Sequence, residues 1–131
     1  MSYKVKEIYL TVQGEGSQTG RVAVFCRFTG CNLWTGHETD RENAICNFCD
    51  TDFVGTDGPG GGVFFGAEKM TEHLLSFWVS DHPPFVVFTG GEPLLQIDDA
   101  LISELKNNSV EIAIETNGTI IPPIGIDWVC V

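Results

Sequence analysis

The sequence predicts an α/β fold built from parallel βαβ units with right-handed crossovers. Short apolar runs of strand length recur at 22–29, 85–89 and 110–115, and stretches of helical periodicity precede and follow the second of them. The chemically unusual residues stand directly after these runs. In folds of this class the chemistry gathers at the carboxyl ends of the strands.

Taken in order, residues 3–12 (YKVKEIYLTV) alternate loosely and predict a strand, followed by the Gly-rich segment 13–17. Residues 22–29 predict a second, almost wholly apolar strand, with Arg27 as its exception. Alternation sets Ala23, Phe25 and Arg27 on one face and Val24, Cys26 and Phe28 on the other. Between Cys31 and Cys46 lie 14 residues, where Thr39 and Glu42 match a capping box and predict a short helix over about 40–45. The stretch 54–66 is Gly-rich but lacks the Lys and Ser/Thr of a phosphate cradle, so it reads as a connector or lid.

Residues 67–80 place Met70, Leu74, Phe77 and Trp78 at helical spacing. The run 85–89 enters Gly90-Gly91-Glu92-Pro93, and Pro93 suits the first turn of a helix carrying Leu94, Ile97, Leu101, Ile102 and Leu105 on one stripe. A strand over 110–115 ends in Thr116-Asn117-Gly118, and another begins near Asp127. The final residues, Asp127 to Val131, read like the middle of a buried strand. The expectation is that further residues follow Val131, which an intact mass would check.

A chain of 131 residues is expected to form a single domain over 1–131. Apolar content of 43% with 19% charged residues describes a globular chain. The net charge of −11 opposes binding to phosphate backbones and anionic membranes, so neither nucleic acid nor membrane is an expected partner. The N-terminal residues resemble neither a signal nor a transit peptide, and no run reaches membrane-spanning length, which leads to a cytoplasmic expectation. Five cysteines, an odd number, argue against a disulfide framework and for metal binding by clustered thiols. Cys26 and Cys130 lie in apolar runs and read as small buried residues.

Cys31, Cys46 and Cys49 carry the strongest signal. The pair around Asn47-Phe48 can aim two thiolates at one metal, and Cys31 leaves an apolar strand that can meet them. Three thiolates suit an iron–sulfur cluster with one iron left open to a ligand. The alternative is a zinc site completed by His37. Phe48 can cover a ligand beside the cluster or simply pack on the core. Thr89-Gly90-Gly91-Glu92 offers unhindered backbone beside a carboxylate, a combination able to hold an ammonium group. Glu115 and Asn117, at the next strand end, are suggestive only in that company. Arg27 is either an anchor for a carboxylate or a strand-end Arg paired with an acid. Asp50-Thr51-Asp52 supplies hard oxygens suited to Mg²⁺, or forms a plain turn. His73 and His82 read as surface residues.

Cys31-x14-Cys46-x2-Cys49, with an aromatic before the last cysteine and Gly-Gly-Glu-Pro downstream, resembles the radical S-adenosylmethionine enzymes. It departs from their usual Cys-x3-Cys-x2-Cys spacing by an expanded first loop. That expansion, with Thr11-Val12-Gln13-Gly14-Glu15-Gly16 and Cys49-Asp50-Thr51, closely resembles the 7-carboxy-7-deazaguanine synthases of queuosine and deazapurine biosynthesis. The resemblance implies a partial, abridged (β/α) barrel in chains that extend well past Val131. It implies a [4Fe–4S] cluster on Cys31, Cys46 and Cys49, with S-adenosyl-L-methionine on its open iron. Phe48, Gly90, Gly91, Glu92, Glu115 and Asn117 would contact that cofactor. Val12, Gln13, Gly14, Glu15, Arg27, Asp50 and Thr89 would bind a carboxylated tetrahydropterin, with Thr51 ligating Mg²⁺. The implied reaction is a radical ring contraction of that pterin with loss of ammonia, in a homodimer served by a flavodoxin-type electron donor. Two other classes compete: a radical activating enzyme acting on a protein partner, and a non-catalytic zinc module.

Overall fold

A computed structural model of the chain describes residues 2–12, 20–30 and 58–131. Its elements are β1 (Ser2–Val12), β2 (Val22–Phe28), β3 (Gly62–Phe65), α1 (Ala67–Leu75), β4 (Phe85–Gly90), a 3₁₀ turn (Pro93–Leu95), α2 (Asp99–Asn107), β5 (Glu111–Glu115) and β6 (Trp128–Cys130). One mixed sheet holds six strands in the order β3-β1-β2-β4-β5-β6. β1 pairs antiparallel with β2 and β3, whereas β2, β4, β5 and β6 run parallel. The parallel half, with its helical crossovers, is the partial (β/α) barrel wall the sequence led us to expect.

The alternation expected for β2 is observed. Val24, Cys26 and Phe28 enter the main core with Met70 and Leu74 of α1 and Leu101, Ile102 and Leu105 of α2. Ala23 faces the other way, in a smaller cluster with Phe85, Val87 and Ala113. Both helices therefore cover one face of the sheet, and no described helical residue belongs to the cluster on the other. Burial pushes the Cys26 thiol pKa far up, so this cysteine stays a neutral core residue.

Four expectations are corrected. The helix expected over 67–80 ends at Leu75, capped at Ser76. Phe77 meets the His73 ring edge-on at 5.3 Å, and the Trp78 indole donates to the His82 carbonyl at 2.9 Å while packing against both apolar clusters. Apolar spacing alone could not distinguish that folded-back corner from another helical turn. Within 54–66, residues 62–65 form β3 on the open edge of β1, pairing Ser2 with Phe65 and Val5 with Gly62. His73, expected on the surface, stacks on Phe64 at 4.3 Å and lies 2.9 Å from the Gly60 carbonyl.

The single helix expected after Pro93 is also divided. The 3₁₀ turn stops, and α2 starts afresh with Asp98 as its N-cap, accepting from the Leu101 amide at 2.9 Å. Asp98 has a second donor: the fully buried Tyr3 hydroxyl reaches the same oxygen at 2.6 Å, tying the start of β1 to the helix. The capping carboxylate, not the apolar stripe, sets where α2 begins.

At the amino-terminal edge of the parallel strands, Arg21 binds Glu111 through two nitrogens at 2.7 and 3.2 Å and lies 4.0 Å over the Phe85 ring. The Trp128 indole also donates to Glu111, and Lys106 pairs with Asp127. The Arg21 hydrogen bond outweighs the opposing effect of burial and, with a further contribution from Trp128, holds the Glu111 carboxyl below the usual carboxylate range. A depressed folded-state pKa stabilises above the unfolded value of about 4.3 and is lost as pH falls through the folded value. Glu111→Gln is therefore expected to lower the urea midpoint at neutral pH and to narrow its gap to wild type as pH drops below about 4. A gap that is constant with pH would separate Glu111 from the acid sensitivity. Arg21 and Glu111 are partly exposed, so the effect is modest.

Candidate functional site

Parallel pairing brings the ends of β2, β4 and β5 to one edge of the sheet. Arg27 is in register with Glu7 on one side and Thr89 on the other. Phe88 pairs with Ile114, so Thr89 and Glu115 are the next residues along their strands, and Glu115 pairs in turn with Cys130. Because Phe28, Phe88 and Ile114 point into the helix-covered core, alternation sets Arg27, Thr89 and Glu115 on the opposite face. A polar row thus crosses the sheet on the side without described helices. Arg27 Nε donates to Glu7 at 3.2 Å, and both side chains are about three-quarters buried, at 21% and 26% exposure. The acid pairing foreseen for Arg27 is present, and among the described residues it engages only Nε.

The rim above this row is built around Glu92, which is completely buried. Its carboxylate accepts from the Leu94 amide at 3.0 Å, from the Asn117 amide at 2.7 Å, and from the Thr116 hydroxyl, which lies 2.7 Å from both oxygens. Its own amide donates to the Gly30 carbonyl at 2.8 Å. A buried carboxylate without a described cation beside it is held instead by donors, two of them backbone. Glu92 consequently locks the exit of β5 to the exit of β4 and presents Asn117 at the rim.

Gly90 has a separate reason to be glycine. Its φ is +132°, and an added Cβ would stand 2.4 Å from the Phe28 carbonyl oxygen and 2.6 Å from the Phe28 nitrogen. Gly90, one of the two glycines foreseen as a ligand cradle, thus allows a close approach of β4 to β2.

Of the residues singled out from sequence, the structure assembles Arg27, Thr89 and Glu115 in the row and Gly90, Gly91, Glu92 and Asn117 on the rim. Val12 does not join them: it is exposed and pairs with Val22, at the other end of the β1–β2 ladder from Glu7 and Arg27. Gln13, Gly14, Glu15, Cys31, His37, Cys46, Phe48, Cys49, Asp50, Thr51 and the helix expected over 40–45 lie outside the described residues. Among the described residues, no group of three or more His, Cys, Asp or Glu side chains could hold a metal ion. Sequence reasoning missed Thr116 and Glu7. Nothing in the local pattern marks either, since both act on residues distant in sequence.

No protein-family model matches the chain. It is 59% identical over 133 residues to the 7-carboxy-7-deazaguanine synthase of Bordetella pertussis, covering 100% of this chain and 63% of that one. The protein of that name from Caulobacter vibrioides is 58% identical over 132 residues, with 100% and 63% covered. That from Bacteroides thetaiotaomicron is 43% identical over 131 residues, with 98% and 59% covered. The crystal structure of QueE from Escherichia coli superimposes with a TM-score of 0.71 at 26% identity, covering 98% of this chain and 58% of that one. The chain thus spans about 63% of the length of the first of these curated relatives.

Proposed function

This chain is a homologue of the 7-carboxy-7-deazaguanine synthases, and on that premise we propose that it is a radical S-adenosylmethionine lyase. The reaction is the contraction of 6-carboxy-5,6,7,8-tetrahydropterin to 7-carboxy-7-deazaguanine with loss of ammonia. The supporting observation is the Arg27–Thr89–Glu115 row, set on the sheet face away from the helices and beside the rim of Gly90, Gly91 and Glu92.

The residues fit the group the reaction needs. Cys31, Cys46 and Cys49 form an all-thiolate donor set suited to a [4Fe–4S] cluster, and Cys31 follows Gly30, whose carbonyl is bound to the Glu92 amide. When bound, the cluster and S-adenosyl-L-methionine supply the radical that starts and ends the cycle. The protein's own work is positioning. Glu7 engages Nε of the Arg27 guanidinium, and in this reading the two terminal nitrogens serve the substrate carboxylate as a fork. Thr89, one strand away and about 5 Å along the sheet, adds a hydroxyl to the same side. Glu115 and Asn117 face the cofactor, with Asn117 fixed through its amide by Glu92. Phe48 covers the cofactor, Thr51 ligates Mg²⁺, and Val12, Gln13, Gly14, Glu15 and Asp50 complete the substrate's surroundings. A homodimer, a flavodoxin-type electron donor and a cytoplasmic setting complete the proposal. No helix of the described residues is long and apolar enough to cross a membrane.

The test is anaerobic reconstitution with iron and sulfide, followed by S-adenosyl-L-methionine and reductant. Deoxyadenosine formation supports the reading, and a chain that takes zinc instead of iron overturns it. Arg27→Ala is expected to lower substrate turnover about 100-fold, the loss of a charged fork worth about 3 kcal/mol, while uncoupled deoxyadenosine release continues. Parallel loss of both activities would remove Arg27 from the substrate site.

A further inference from the structure

The ladder between β1 and β2 does not close in the ordinary way at its upper end. Val5 pairs with Phe28, and the Thr29 amide donates to the Lys4 carbonyl at 3.0 Å. The reciprocal bond, from the Lys4 amide to the Thr29 carbonyl, would complete an antiparallel pair. The Gln96 side chain stands in its place. The Lys4 amide donates to Gln96 Oε1 at 2.6 Å, and Gln96 Nε2 donates onward to the Thr29 carbonyl at 2.8 Å and to the Lys4 carbonyl at 3.0 Å. Only this orientation of the amide satisfies the site, because the flipped one would set NH₂ against an amide N–H and oxygen against two carbonyls.

Gln96 therefore acts as a wedge that holds the end of β2 off β1. Gly91 and Glu92 complete the hold, their amides meeting the Phe28 and Gly30 carbonyls at 3.4 and 2.8 Å. Three consecutive carbonyls, Phe28, Thr29 and Gly30, are gripped by the segment 91–96, and the next residue in the chain is Cys31. Resting on the function proposed above, we infer that Gln96 is a positioning residue for the iron–sulfur cluster: its amide wedge sets the direction in which β2 delivers Cys31. Without the wedge, the Lys4 amide can reach the Thr29 carbonyl directly, and the strand continues one step further along β1. The fold loses little, and the strand exit is redirected.

The experiment compares wild type with Gln96→Ala and Gln96→Asn, whose amide sits on a stem too short to bridge Lys4 and Thr29. Thermal midpoints of the metal-free chains are measured first. Iron and sulfide per chain, and the electron paramagnetic resonance signal of the reduced cluster, follow after anaerobic reconstitution and desalting. Both variants are expected to keep the wild-type midpoint, to retain about ten-fold less iron and to show an altered signal, the scale of one or two lost hydrogen bonds. Wild-type iron content and signal in the variants overturn the inference, as does a lowered midpoint with normal iron in the folded fraction. Should Gln96→Ala fail to fold, Gln96→Asn decides, and failure of both to fold marks Gln96 as a structural brace. A wild-type chain that takes no iron overturns the proposed function itself, and is told apart from failure of the inference by that control alone.

Discussion

Glu92→Ala is expected to cost at least about 4 kcal/mol, most of the stability of a domain near the lower end of the usual range of about 5–15 kcal/mol. Removing the carboxylate orphans the buried Leu94 amide, the half-buried Asn117 amide and the buried Thr116 hydroxyl at once, and two of these donors belong to backbone that cannot turn away. Each unsatisfied buried donor costs about 1–3 kcal/mol. Glu92→Gln keeps the shape but sets an NH₂ group against a donating amide whichever way it is placed, so about 2 kcal/mol is expected. Thr116→Val leaves Glu92 its two backbone donors and is expected to lose only about 1 kcal/mol. Urea denaturation with an unchanged slope would give the series. If Glu92→Gln is as stable as wild type, the carboxylate is not the lock between β4 and β5, and its role is confined to ligand binding.

Gly90→Ala is the second severe substitution, expected at about 3–5 kcal/mol. The added Cβ meets the Phe28 backbone at 2.4 Å, inside a pair of parallel strands that both lie in the core. Neither strand can retreat without breaking ladder bonds, and φ of +132° adds strain for any side chain. Gly66→Ala is the control. It also has positive φ, at +89°, with ψ at 150°, backbone that side chains strain to adopt, but nothing lies within 4 Å of its added Cβ, so strain alone, about 1–3 kcal/mol, is expected. Equal losses at the two positions in thermal or urea unfolding would show that conformation, not the approach of β4 to β2, requires glycine at position 90.

The polar residues at the strand ends were legible because they interrupt apolar runs. Arg27 breaks one such run, and Gly90-Gly91-Glu92 follows another. Their faces followed from alternation, as the split between Cys26 in the core and Arg27 on the open side confirms. The part illegible in the sequence is of another kind. Gln96 lies 67 residues from Thr29 and 92 from Lys4, and Thr116 lies 24 from Glu92. Such bonds leave no periodic trace, because they depend on which strand neighbours which. The division of the expected helix at Asp98 has the same origin, since Tyr3, 95 residues away, shares the capping oxygen.

By itself, the sequence determined the α/β class, the order of the strands other than β3 and of the helical segments between them, and the thiol, carboxylate and guanidinium groups that follow or interrupt the strands. These are local properties, written in apolar spacing and residue chemistry. Only the tertiary structure decided that Glu92 is a buried lock between two strand ends, that β3 closes the free edge of β1, and that Gln96 parts β1 from β2 just before Cys31. A hydrogen bond between distant segments depends on where the whole sheet places its partners, and no window of neighbouring residues contains that information.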